Sequence, residues 1–207
     1  MESILIKELK QVALSLFRKD MLGIYHGSMS ARVELNKFVI NRKEAIFDDL
    51  DPEDFLLLYH NQDYRWRDAS IDSHIHSQIY SQVADAKYIL YVLPPYTMSY
   101  SMLHDTIEPA DYFGHQMFPE VEIYDPKSYD DWYDRAEVEI SRYFYETDLN
   151  IMVIRGYGVY AHARDLNELA KMLAVIENSC RILLLSQLNK VTEPKLPRAE
   201  ELGLKYD

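Results

Sequence analysis

Cysteine is nearly absent. Cys180 is the only one in 207 residues, so no intrachain disulfide can form. It falls inside an apolar helical stripe, where a thiol acts as a small core hydrophobe, and a reducing cytoplasm is the expected setting. Positive charge is scarce too: 22 Lys and Arg against 34 Asp and Glu leave a formal net charge of −12. With no Lys/Arg block in the chain, neither nucleic acid nor an anionic membrane is an expected partner. Long apolar runs are missing, none approaching the ~20 residues that cross a bilayer. The opening MESILIKELK lacks the apolar core and small-residue cleavage site of a secretory signal. No G-x-S-x-G, P-loop or dinucleotide G-x-G-x-x-G occurs either, so serine hydrolase, P-loop nucleotide and dinucleotide chemistry find no support.

What is present is an ordinary globular composition, 48% hydrophobic, enough for one substantial core. Residues 1–189 read as one domain, and 190–207, with Pro194 and Pro197, as a C-terminal tail or arm. Leu5, Leu9, Val12, Ala13, Leu16 and Phe17 form a helical stripe. RVELNKFVI, 32–40, predicts a hairpin turning at Asn36 and Lys37. FLLLYH, YILYVL and LNIMVIR predict buried strands, and Pro94-Pro95 a redirection of the chain into a helix. Capped helices are predicted after Ser128 and from Asp165.

The stretch IDSHIHSQIY, 71–80, carries His74 and His76 one residue apart, the spacing of a metal-binding pair on a strand. Ile71, Ile75, Ile79 and Val83 recur every four residues, however, which predicts a helix capped by Ser70. On a helix the two imidazoles diverge and cannot hold one ion. The other histidines, His26, His60, His104, His115 and His162, show no ligand spacing and read as surface or core-edge residues. His26 and His162 are the two that adjoin a turn and a late strand. Seventeen tyrosines, clustered in PPYTMSYS, IYDPKSYDDWYDR and SRYFYE, suit a cavity rim or a subunit interface.

The order of elements, together with Gly27-Ser28-Met29-Ser30-Ala31-Arg32 and Ser70-Ile71-Asp72 followed by His76 and Tyr80, resembles the class II aldolase and adducin head-domain family over residues 5–188. The first segment is similar to the family's G-N-x-S-x-R turn, with serine for asparagine. The second resembles its S-S-E-x-x-x-H-x-x-x-Y helix, in which the glutamate is the acid/base and the serines help bind substrate phosphate. Asp85-Ala86 resembles the family's P-D-A ahead of the next strand. The resemblance implies a three-layer α/β/α sandwich around a mixed, largely antiparallel sheet, usually assembled as a ring-shaped homotetramer. It implies a sugar-phosphate aldolase or epimerase where the metal site is intact.

Carried forward, the same frame puts the family's H-x-H metal motif at Tyr91-Val92-Leu93 and its third histidine at Tyr157, within Arg155-Gly156-Tyr157-Gly158. In the family's enzymes three histidines hold a divalent metal, usually zinc, that polarises the substrate carbonyl. Leucine has no donor atom, and a phenol must lose a proton with a pKa of about 10 to ligate. The expectation is therefore no metal cofactor, with Tyr91 and Tyr157 as plugs. Asp72, the one candidate catalytic carboxyl, is a methylene shorter than glutamate, about 1.5 Å less reach. Asn41-Arg42-Lys43-Glu44 stands where the family has T-x-x-G, so a phosphorylated sugar or other small anion would meet Gly27, Ser28, Lys43 and Ser70. Two functional classes follow: an interaction or scaffold protein with a filled site, or an enzyme or sensor that keeps a sugar-phosphate or similar anion pocket.

Overall fold

The computed structural model describes residues 2–24 and 26–191. Six helices and eight strands alternate along it: α1 Glu2–Phe17, β1 Ser28–Glu34, β2 Lys37–Asn41, β3 Phe55–Tyr59, α2 Ser73–Gln82, β4 Tyr88–Val92, α3 Pro95–Ser101, β5 Thr106–Ile107, α4 Tyr112–Met117, β6 Val121–Tyr124, α5 Trp132–Thr147, β7 Ile151–Ile154, β8 Gly158–Ala163 and α6 Leu166–Val191. The sheet order is β3-β2-β1-β4-β8-β7-β6-β5. Every pairing is antiparallel except β6 with β7. This is the mixed, largely antiparallel sheet expected. The tail expected from 190 onward lies almost wholly outside the described residues.

Strand alternation divides the apolar residues between two cores. Met29, Ala31, Leu90, Val92, Val159 and Ala161 point to the face covered by α1 and α6. Ile89, Tyr91, Met152, Ile154 and Tyr160 point to the opposite face, under α2 and α5. Period-2 side chains thus build the middle layer of an α/β/α sandwich. Cys180 is fully buried on α6 among the first set, and burial pushes its thiol up to about 12, the inert core residue expected.

Three local expectations change. The hairpin turns on Leu35 and Asn36, and Lys37 already belongs to β2. FLLLYH forms the edge strand β3, half-buried rather than buried, because only one neighbour pairs with it. Ser28 to Arg32 is not a turn: Gly27 makes the turn with φ +118°, and β1 begins at Ser28. Pro94-Pro95 does start α3, whose first N–H groups need a partner. Glu177 of α6 supplies it, with Oε1 accepting from the Tyr96 N–H at 3.0 Å and Oε2 from the Thr97 N–H and hydroxyl at 2.8 Å each.

Candidate functional site

Strand period and helix period meet at one place. Ser28, Ser30 and Arg32 share one face of β1, and Asp72, His76 and Tyr80 share one face of α2 at four-residue spacing. The Ser28 hydroxyl lies 2.9 Å from His76 Nε2, and the Ser30 hydroxyl 2.6 Å from His76 Nδ1 and 2.7 Å from the Tyr80 hydroxyl. The Arg32 guanidinium donates to the carbonyls of Tyr80, Val83 and Ala84 at the end of α2. That end of a helix is where unsatisfied carbonyls favour a cation. The G-S-M-S-A-R segment is thus a staple holding α2 on the sheet. His76 is fully buried and its pKa is lowered to about 3 by desolvation, so it is a neutral member of this staple.

At the other end of α2 the chain enters the helix at Asp72. The carboxylate does not cap the helix. It turns inward, 2% exposed, and Oδ1 accepts a hydrogen bond from the Tyr160 hydroxyl at 3.1 Å. Burial raises the Asp72 pKa, and the hydroxyls of Ser28, Tyr160 and Ser70 offset only part of that. The expected Ser70 cap is present in altered form: its Oγ accepts from the Asp72 N–H at 3.3 Å and its carbonyl from the Ser73 N–H at 3.0 Å.

Tyr160 belongs to β8 and stands directly across from Tyr91 of β4. Their rings stack at 4.5 Å and 16°, and Tyr157 stacks on Tyr91 at 5.2 Å and 25°. The Tyr91 hydroxyl donates to the Tyr157 carbonyl at 2.9 Å. Gly158 makes this possible, since a Cβ there would meet the Tyr91 ring at 2.6 Å and the Val92 carbonyl at 2.8 Å. The three phenols are all pushed above their usual range by burial.

A cavity of about 240 Å³ opens over this stack. Gly27, Lys43, Ser70, Asp72, Tyr91 and Tyr157 line it, together with His26, Asn41, Ala45, Ile71 and Tyr133. Lys43 reaches the rim because 41–43 runs beside 68–70: the Ser70 N–H donates to the Asn41 carbonyl and the Lys43 N–H to the Asp68 carbonyl. Four of the five candidate site residues are therefore neighbours. Ser28 sits one layer deeper, fully buried against His76. Leu93 is half-buried and off the lining, its N–H held by the Met21 carbonyl at 2.8 Å. Nothing in the sequence singles out Tyr160 or Tyr133, beyond the place of Tyr133 in one of the tyrosine clusters. The Tyr133 hydroxyl closes on the Ile71 carbonyl at 2.7 Å.

The family model described as the class II aldolase and adducin N-terminal domain matches residues 7–184. The chain belongs to the class II aldolase and adducin family. L-fuculose-1-phosphate aldolase from Thermus thermophilus superposes with a TM-score of 0.81 at 23% identity, over 93% of this chain and 98% of that one. YgbL from Klebsiella pneumoniae gives 0.75 at 16%, over 99% of each chain. A sugar-phosphate aldolase from Thermotoga maritima gives 0.71 at 14%, over 91% and 96%. At these identities the likeness is one of fold. No curated protein sequence matches the chain. Among the described residues no helix is long and apolar enough to cross a membrane, and no group of three His, Cys, Asp or Glu is placed to hold a metal ion.

Proposed function

We propose that this class II aldolase-fold protein does not carry out metal-dependent carbon–carbon cleavage and instead binds a small anion, of the phosphorylated-sugar class, in the cavity over Asp72. The observation that carries the reading is the Tyr157–Tyr91–Tyr160 stack, which ends on the Asp72 carboxyl and fills the floor of the cavity. In the family frame, Tyr91 and Tyr157 stand at histidine ligand positions. The donors present do not fit a zinc ion. Two are buried phenols that hold their protons, Tyr91 donating a hydrogen bond to a carbonyl, the one carboxyl among the described lining residues is shifted toward its neutral form, and His26 is a single imidazole. Zinc sites use deprotonated thiolates, imidazoles and carboxylates, three or four together.

The same shifts suit an anion. With Asp72 biased to its protonated form, Lys43 is the fixed positive charge of the lining, and the Ser70 hydroxyl, which accepts from the Asp72 N–H, stands beside it. Gly27 lets the backbone come close. The volume is below the ~300 Å³ typical of drug-sized sites, which suits a phosphate with a short polyol. Self-association fits the same reading, and the exposed Leu103, Tyr112 and Phe113 supply apolar surface for it.

Thermal unfolding with inorganic phosphate and a series of sugar 1-phosphates tests the proposal, because a ligand of the native state raises apparent stability. A dose-dependent rise that is lost in Lys43→Ala supports it. No rise with any anion, or aldol cleavage of those sugars, overturns it.

A further inference from the structure

Asp72 is a buried carboxyl without a counter-ion. No ion pair among the described residues includes it. Its partners are neutral: the Tyr160 hydroxyl at 3.1 Å, and the hydroxyls of Ser28 and Ser70, which favour the ionised form as Tyr160 does. A salt bridge would fix the group as a carboxylate, and an all-apolar pocket would fix it as an acid. Three hydroxyls set against burial leave both forms within reach of moderate pH.

Most of the titratable groups that face Asp72 hold one state while it changes. The field of its carboxylate reaches Tyr91 of β4, Tyr133 of α5, Tyr157 ahead of β8 and Tyr160 of β8, and all four phenols are pushed above their usual range, so they stay neutral. His76 on α2, lowered to about 3, is neutral as well. Lys43 is the fixed positive charge of the cavity lining, and His26 is the other titratable group there. Because Tyr91, Tyr133 and Tyr157 are themselves lining residues, a charge on Asp72 is felt inside the cavity. A volume of about 240 Å³ gives an anion no room to stand much beyond one Debye length from the floor, about 8 Å in physiological salt. Salt therefore screens the two like charges little, and each disfavours the other.

We propose that the cavity takes up its anion together with one proton, carried by Asp72, so that acidification switches the site toward binding. This rests on the reading of the cavity as an anion site and adds the control of that site. Ionised Asp72 repels the anion, and a bound anion draws a proton onto Asp72, the two effects being equal by linkage. Affinity rises as pH falls through the range in which Asp72 titrates, by up to about tenfold per pH unit for one proton.

The test is a titration of the full chain with inorganic sulfate at constant ionic strength from pH 5 to pH 8, the dissociation constant being read from the backbone NMR signals of Gly27 and Ser70. Sulfate keeps its charge over this range, whereas a phosphate ester itself titrates near pH ~6. The parent's affinity falls about tenfold or more from the acid end to the other. In Asp72→Asn, which keeps an oxygen for Tyr160 and has no proton to lose, that fall is largely abolished and binding at pH 8 is tighter than the parent's. Saturable binding with the same affinity at every pH overturns the coupling and leaves the anion site standing. So does a fall that Asp72→Asn retains in full, since it then belongs to His26. Absence of saturable binding at any pH also overturns the coupling, and the anion site falls with it only if the sugar 1-phosphates leave the melting temperature unchanged.

Discussion

The Tyr160 hydroxyl donates to Oδ1 of Asp72 at 3.1 Å, joining the tyrosine stack to the one carboxyl among the described residues that line the cavity. Because the folded-state pKa of Asp72 is raised, the folded protein binds a proton there that the unfolded chain has released. The resulting stabilisation is fully present below the ordinary carboxylate pKa and is lost as pH rises through the folded value. Asp72→Asn keeps an oxygen for Tyr160 and removes the ionisation. Its melting temperature should equal the parent's near pH 4 and exceed it increasingly toward neutral pH. Parallel unfolding curves across that range check this, and a variant less stable than the parent at pH 7 would contradict it.

His76 makes the opposite contribution. Its folded-state pKa, about 3, lies below the 6.5 of a free imidazole. The unfolded chain therefore takes up a proton first, and stability falls as pH drops below about 6.5, by at most about 1.4 kcal/mol per pH unit from this group. The ring signals of His76 should stay those of a neutral imidazole at pH 5, which a pH series of NMR spectra reads directly.

Gly158 and Tyr91 depend on each other. Gly158→Ala puts a Cβ 2.6 Å from the Tyr91 ring at a φ of +150° and should destabilise by about 2 kcal/mol or more. Tyr91→Phe keeps the stack and gives up only the 2.9 Å bond to the Tyr157 carbonyl, about 1 kcal/mol. Denaturant unfolding of the two variants checks the order. If the phenylalanine variant is the more damaged, the hydroxyl and not the ring fills the site.

Much of this is legible in the sequence because it is written in periods. The four-residue repeat of Ile71, Ile75 and Ile79 places α2 and separates His74 from His76, and the capped start at Asp165 places α6. The staple is harder to see. Ser28, Ser30 and Arg32 alternate, and Asp72, His76 and Tyr80 are spaced by four, but nothing local says that the two faces meet. Both segments suggest ligand binding, whereas most of their side chains bind each other. Tyr160 is invisible for a related reason: it is one of seventeen tyrosines, and only the β4–β8 register sets it across from Tyr91. His162 stands out only as a late-strand histidine, since its two unpartnered nitrogens exist only in the packed structure.

The central claim is that the tyrosine stack replaces metal chemistry over Asp72. It is tested most directly by measuring zinc content and sugar 1-phosphate cleavage on the same preparation, expressed with zinc supplied. The account predicts zinc far below one ion per chain and no cleavage above background, in the parent and in Asp72→Asn alike. Near-stoichiometric zinc together with cleavage that Asp72→Asn abolishes would contradict it.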